Sequence, residues 1–307
     1  GSASARSVGG RGVRRAAQTI APTATKTAIR ATTRAKDSIL RGYAPTVTVA
    51  GHPGQTTDSW TERDSRLDHC RSYSPEVRAL VIEHGLDGGA EGVGDRLNTR
   101  GFTLESFQVL DGTDDSHSDR PFPDTVDYDL VVIMGSVHSV YDMATIGSWI
   151  GREITMVAET VAADRPVLGI CFGGQVLSAA LGGTVEAAQD PEIGWHTVQS
   201  EHPDDLSEGP WFQWHYDRFS LPEGSVELAR NEYGVQAFQS GRSLGTQFHP
   251  EVTPDLVARW LSQLGDEVDR KGVDAVELLA ETTRQHPEAR RRADQLVDWF
   301  VDEVAFR

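Results

Sequence analysis

Cysteine is scarce in this sequence: Cys70 and Cys171 stand far apart and form no CxxC pair. Neither a disulfide framework nor a zinc site can be written from them, and such usage suits a reducing, cytoplasmic compartment. Long apolar runs are missing as well. No stretch approaches the roughly 18 apolar residues of a membrane-spanning helix, so no membrane partner is expected. Basic charge is short too, with 29 Lys and Arg against 46 Asp and Glu and a formal net charge of −17. A surface of that sign repels polyanions, which argues against nonspecific nucleic-acid binding by the body of the protein.

What basic charge there is gathers at the start. Residues 1–45 hold Arg6, Arg11, Arg14, Arg15, Lys26, Arg30, Arg34, Lys36 and Arg41 against the single acid Asp37. The segment lacks the apolar h-region of a secretory signal. Three readings stand for it: a disordered basic arm, a transit-peptide-like leader, or non-native sequence upstream of the true start. The Gly-Ser beginning in place of Met suggests the last for its first residues. Its Ala-, Thr-, Ser- and Gly-rich composition predicts disorder without a catalytic role. A polar linker continues to about residue 76 and contains Cys70, to which no role is given.

Ordered sequence is expected from Ala79-Leu80-Val81-Ile82-Glu83-His84, an apolar run that suits a buried parallel strand. A Gly-rich loop, Gly85–Gly94, leads to a short helix near Asp95–Arg100. Phe107–Leu110 reads as a second strand and Tyr128–Met134 as a third, which ends in the loop Gly135-Ser136-Val137-His138-Ser139. One helix is predicted over 144–163. The apolar run Pro166–Ile170 then turns into a helical run from Gln175 to Leu181, stopped by Gly182-Gly183. Further strands are expected at Val226–Ala229, Val235–Phe238 and Ser243–Phe248, the last two as a hairpin. After Pro254 helical spacing returns. A tail over 272–304 carries Leu296, Val297, Phe300, Val301 and Val304, a stripe for core packing or for a subunit contact through C-terminal helices. Strands alternating with helices point to an open α/β sheet, whose ligands bind at the C-terminal strand edge.

Cys171 falls at the turn between the strand at 166–170 and the helix that follows, within Gly169-Ile170-Cys171-Phe172-Gly173-Gly174-Gln175. Glycines permit a tight bend there, and a helix N-terminus favours thiolate over thiol. This is the pattern of a nucleophile elbow, with cysteine in the place of serine. The alternative is a buried, inert cysteine, which is what most unpaired cysteines are.

A nucleophilic cysteine needs a base and a group to orient that base. His249 ends an apolar strand, and Glu251 lies two residues on, on the same side of an extended chain. Pro250 biases His249 towards that extended geometry. Metal binding is the competing reading of His-x-Glu, but no second His/Cys pair has ligand spacing, so neither metal nor cofactor is expected. His215 is the rival base. It stands between aromatics in a predicted loop that suits packing or substrate contact better. His84, at the end of the first strand, has structural and functional readings of equal weight. His138 lies in the Gly135–Ser139 loop, close to where a ligand would bind, while His52, His69 and His117 lie in polar sequence and carry no signal.

Beside the elbow motif stand Gln247-Phe248-His249-Pro250-Glu251, Gly135–Tyr141, Glu192-Ile193-Gly194-Trp195, Trp214-His215-Tyr216-Asp217 and Gln236-Ala237-Phe238. Together, over residues 78–262, they resemble the class I (triad) glutamine amidotransferases, specifically the stand-alone branch similar to the glutaminase domain of GMP synthase. The resemblance implies a flavodoxin-like fold, an open sheet with helices on both faces. With the arm and linker read from composition over 1–76, it leaves an amidotransferase domain expected over 77–265 and a helical extension over 266–307. Cys171 would attack the glutamine side-chain amide, with His249 as base, Glu251 as orienter, and the amides of Phe172 and Ser136 as oxyanion donors. Gln175, His215, Tyr216 and Asp217 match positions that hold glutamine. One departure stands out. Related loops commonly read Gly-Gly-Pro where this one reads Gly135-Ser136-Val137, which points to a hole formed on rearrangement or to a substrate other than free glutamine.

The implied function is ammonia release from glutamine, with a separate synthetase subunit as acceptor. No segment resembles the Ser-Gly-Gly-x-Asp phosphate loop of the synthetase half of GMP synthase, so the chain is not expected to be a whole GMP synthase. A γ-glutamyl hydrolase or peptidase would use the same triad. A non-catalytic regulatory subunit is the third reading, and the intact Cys/His/Glu set argues against it.

Overall fold

The computed structural model describes residues 77–85, 88–112 and 115–307. The predicted basic arm and linker, with Cys70, lie outside the described residues. In chain order the elements are β1 (Val77–Glu83), α1 (Glu91–Thr99), β2 (Phe102–Gln108), β3 (Leu130–Ile133), α2 (Met143–Ile146), α3 (Ile150–Ala162), β4 (Val167–Ile170) and α4 (Phe172–Ala180). There follow β5 (Val185–His196), β6 (Gln199–Ser200), β7 (Trp211–Phe219), β8 (Val226–Asn231), β9 (Gly234–Ser240), β10 (Ser243–Thr246), α5 (Pro254–Arg270) and α6 (Ala275–Trp299).

Short runs of Val, Leu and Ile make β3 and β4 buried at every position, the mark of parallel strands covered on both faces. They sit at the centre of an eight-stranded sheet in the order β2-β1-β3-β4-β10-β9-β8-β6. The first five run parallel and the last three antiparallel. Strand order 2-1-3-4 followed by a further parallel strand is the doubly wound, flavodoxin-like pattern. On one face, α3 and α4 bring Ile150, Val157, Val176 and Leu177 onto Leu80, Ile82 and Val131. On the other, α1 and the C-terminal helix cover Ala79, Val81 and Val132. The stripe Leu296, Val297, Phe300, Val301 and Val304 is therefore buried in the chain's own core. Its last members lie in a π-helical turn, Phe300–Ala305. Among the described residues no helix is long and apolar enough to cross a membrane.

Several boundaries differ from the sequence reading. The second strand spans 102–108 rather than 107–110. As an edge strand it is only partly covered, with Phe102 buried and the residues after it half-buried or exposed, while Val109 and Leu110 are buried just past its end. The helix predicted over 144–163 is two helices, broken at Gly147–Trp149. A side chain at Gly147 would come within 2.3 Å of the Met143 carbonyl oxygen, and Trp149 turns inward to donate to the Ser116 carbonyl at 3.0 Å. The segment holding His215 is not a loop. It is β7, paired antiparallel with β5 as a separate two-stranded sheet.

Candidate active site

Four of the parallel strands, β1, β3, β4 and β10, deliver chemistry at one edge of the sheet. Their C-terminal ends lead directly into His84, Gly135–Ser139, Cys171 and Gln247–His249. Between β4 and α4 the chain reverses through Cys171 alone, at φ 53° and ψ −108°. A non-glycine residue there stores roughly 1–3 kcal/mol of backbone strain. The turn is held by Cys171 N–H donating to the Thr246 carbonyl at 2.8 Å, and by Gln175 N–H donating to the Cys171 carbonyl at 3.0 Å. Phe172 opens α4, so its N–H is among the first four that find no acceptor within the helix.

Around the sulfur the contacts are weak and polar. The Cys171 thiol points to the Trp214 carbonyl at 3.9 Å, and Gln247 Nε2 donates to Sγ at 3.7 Å. His249 is fixed from behind. Its backbone N–H donates to the Phe212 carbonyl at 2.9 Å, its Nδ1 bonds Glu251 Oε1 at 2.7 Å, and Trp260 packs edge-on against the ring at 5.1 Å. Burial of the ring opposes its charging. The Glu251 carboxylate with its hydrogen bond to the ring, and the nearby Cys171 sulfur, outweigh that, and His249 is held well above the ordinary histidine range. No well-formed hydrogen bond takes His249 Nε2.

All nine residues singled out from the sequence line one cavity of about 170 Å³. Cys171, His249, Glu251 and Phe172 line it together with Ser136 of the Gly135–Ser139 loop. The Ser136 hydroxyl accepts the His138 N–H at 3.3 Å and so braces its own turn. Gln175 Nε2 lies 3.5 Å from both the Asp217 carbonyl and Gln247 Oε1. His215 is engaged on both sides, by Glu192 Oε2 at 3.0 Å and the Asp217 carbonyl at 2.9 Å. Its imidazole therefore braces β7 and is not placed as the base. Tyr216 lies beneath Lys271, whose ammonium sits 5.4 Å from the ring centre. Asp217 accepts the Tyr141 hydroxyl at 2.8 Å.

The sequence reading missed four polar residues: Gln247 at the sulfur, Tyr141 at Asp217, and Glu192 and Gln236 behind His215. Gln236 Nε2 donates to Glu192 Oε2 at 3.0 Å, closing a buried network. All four lay inside motifs already noted, and that was the signal available.

The family described as Glutamine amidotransferase class-I matches residues 91–262, more than half of the chain. The chain belongs to that family. Among curated proteins, the GMP synthase [glutamine-hydrolyzing] of Brucella melitensis is 37% identical over 139 residues, which is 41% of this amidotransferase and 26% of that protein. The chain thus spans about a quarter of the length of the curated relatives it matches. A solved glutamine amidotransferase from Thermotoga maritima is 27% identical with a TM-score of 0.63, covering 74% of this chain and 99% of its own. One from Methylobacillus flagellatus is 26% identical with a TM-score of 0.65, covering 74% and 95%. The resemblance read from the motifs and the flavodoxin-like fold are both confirmed by these matches.

Proposed function

We propose that this amidotransferase hydrolyses the side-chain amide of glutamine through a thioester on Cys171. The observation that carries the reading is the meeting of Cys171 and the buried His249–Glu251 pair in one cavity at the start of α4. His249 already holds the proton given up by the thiol, so a thiolate–imidazolium pair stands in the site and the sulfur bonds the amide carbon. The carbonyl oxygen becomes an oxyanion, received by the N–H groups of Phe172 and Ser136. As the tetrahedral species collapses, the imidazolium returns its proton to the nitrogen and ammonia leaves. Water, deprotonated by His249, then attacks the thioester and releases glutamate. Gln175, His215, Tyr216 and Asp217 hold or shape the glutamine site, and the ammonia passes to a separate synthetase subunit. In this reading residues 77–265 form the amidotransferase domain and 266–307 a helical extension of it.

The direct test is ammonia release from free glutamine compared with cleavage of γ-glutamyl peptides. Glutamine is expected to give the higher kcat/KM. A preference for the peptides would move the assignment to a γ-glutamyl hydrolase with the same triad.

A pH profile tests the base. Because His249 is held high, its proton persists through neutral pH and is lost only as pH rises through that elevated value. The alkaline limb of kcat/KM is therefore expected above the ordinary histidine range, which centres near about 6.5. Glu251→Gln removes a carboxylate that keeps the proton on, so the limb shifts to lower pH. A limb that stays put in Glu251→Gln would remove Glu251 from the triad.

A further inference from the structure

His84 and Glu153, which the proposed reaction leaves unused, are both buried, at 4% and 0% exposure. His84 closes β1, and Glu153 lies in the first turn of α3. Imidazole Nε2 meets the two carboxylate oxygens at 2.9 and 3.1 Å. Trp149 and Phe172 enclose the ring, with centroids at 5.4 and 4.8 Å. Taking such a pair out of water costs about as much as its attraction returns, so stability alone is a poor reason for it. The other ring nitrogen supplies a better one. Nδ1 faces the Gly135 carbonyl oxygen at 3.2 Å.

With the carboxylate at Nε2, the ring bonds both neighbours only when Nδ1 carries a hydrogen, which it gives to Gly135. Gly135 and Ser136 share one planar trans peptide, whose C=O and N–H project from opposite edges. Fixing the oxygen on His84 therefore fixes the Ser136 N–H in the direction away from His84. Gly135 lies beside the proposed base as well, since a Cβ there would sit 3.3 Å from His249 Cε1. Neither Ser136 nor Val137 restricts its own backbone as proline does.

We infer that the His84–Glu153 pair is a positioning device that sets the Gly135–Ser136 peptide with its N–H ready for the oxyanion. The inference rests on the proposed reaction, in which that N–H is a donor. Glu153 orients the imidazole through Nε2, His84 holds the carbonyl through a hydrogen on Nδ1, and the peptide plane carries the constraint to Ser136. The oxyanion hole is then formed at rest, without a peptide flip on substrate binding. Neither side chain touches the substrate.

The test compares His84→Asn with His84→Leu in the full chain. The two side chains share a shape and leave Glu153 equally without its histidine, so any folding penalty is common to both. Asparagine places an N–H donor where Nδ1 stood, and leucine places none. The kcat for glutamine is expected to be about tenfold or more higher in His84→Asn than in His84→Leu, with KM alike to within about threefold. Alkylation of Cys171 by iodoacetamide, which builds no oxyanion, is expected to be equal in the two. Equal kcat values, or a fall in kcat matched by a fall in alkylation, would overturn the inference. Where neither variant folds, the nitrogen-15 imidazole spectrum of the wild type decides: hydrogen on His84 Nδ1 supports it and a bare Nδ1 overturns it. A wild type that hydrolyses neither glutamine nor γ-glutamyl peptides overturns the proposed reaction and this inference together, whereas equal variants of an active wild type overturn the inference alone.

Discussion

Cys171→Ala is expected to lower ammonia release from glutamine by about 10⁴-fold or more, in line with the loss of a nucleophile from other triads. Cys171 is the free cysteine of the described residues, and its place at the mouth of α4 is shared by no other nucleophilic side chain. What survives is direct attack by water, aided only by the oxyanion donors. The fold is expected to persist, since alanine fits inside the volume of cysteine and inherits the same strained backbone. A second readout separates lost chemistry from lost structure. The Cys171 sulfur is one of the groups that raise His249, so its removal lowers the pH at which the ring titrates. The sign for stability follows. A histidine raised by folding contributes stability that is full below its unfolded pKa and lost as pH climbs through the folded one. In Cys171→Ala that loss sets in at lower pH than in the wild type. Activity equal to wild type would end the thioester mechanism, and an unmoved His249 titration would separate the sulfur from the base.

Why the nucleophile and its base were legible, and other parts were not, has a physical origin. The elbow is written in consecutive residues: a buried strand of Val167, Leu168 and Ile170, a thiol, and glycines where the helix crosses the sheet. His249 and Glu251 are likewise local, two residues apart on one side of the chain. Strand β5 was not legible. Its sequence Val185–His196 is mostly half-exposed and polar, holds Pro191, and pairs through an irregularity between Ala187 and Glu192. Its partner β7 carries Gln213, His215 and Asp217 on buried positions, where apolar residues announce a strand. His215 is met there by Glu192, the Gln213 amide N–H by Gln236 and Asp217 by the Tyr141 hydroxyl, and that compensation appears only in three dimensions. The His84–Glu153 contact joins residues 69 apart in the chain, one ending β1 and one inside α3. Nothing in the spacing of either residue announces the other.

Gly173→Ala is expected to cost more stability than any other single methyl added to the described glycines. A Cβ at Gly173 would lie 2.0 Å from the Ile133 carbonyl oxygen and 2.6 Å from its carbon. Those are backbone atoms of β3 at the centre of the sheet, with no rotamer to yield. The neighbouring approaches are nearly as close: a Cβ on Gly174 would meet the Thr246 oxygen at 2.4 Å, and one on Gly169 the Gly173 oxygen at 2.4 Å. The first turn of α4 thus rests backbone to backbone on β3, β4 and β10. An added methyl must lift the helix, at about 4 kcal/mol or more. The lift also moves Cys171 and the Phe172 amide relative to His249, and displacements near 1 Å cost about 10² in rate. Gly151→Ala is the matched control. It sits in α3 with nothing within 4 Å of its Cβ, so replacing a flexible helical residue there stabilises by about 0.4–1 kcal/mol. Urea midpoints therefore move in opposite directions, down for Gly173→Ala and up for Gly151→Ala, and only the first takes the glutaminase rate with it. Matching midpoints in the two variants would contradict the direct seating of α4 on the sheet, and with it the reason that glycines surround the nucleophile.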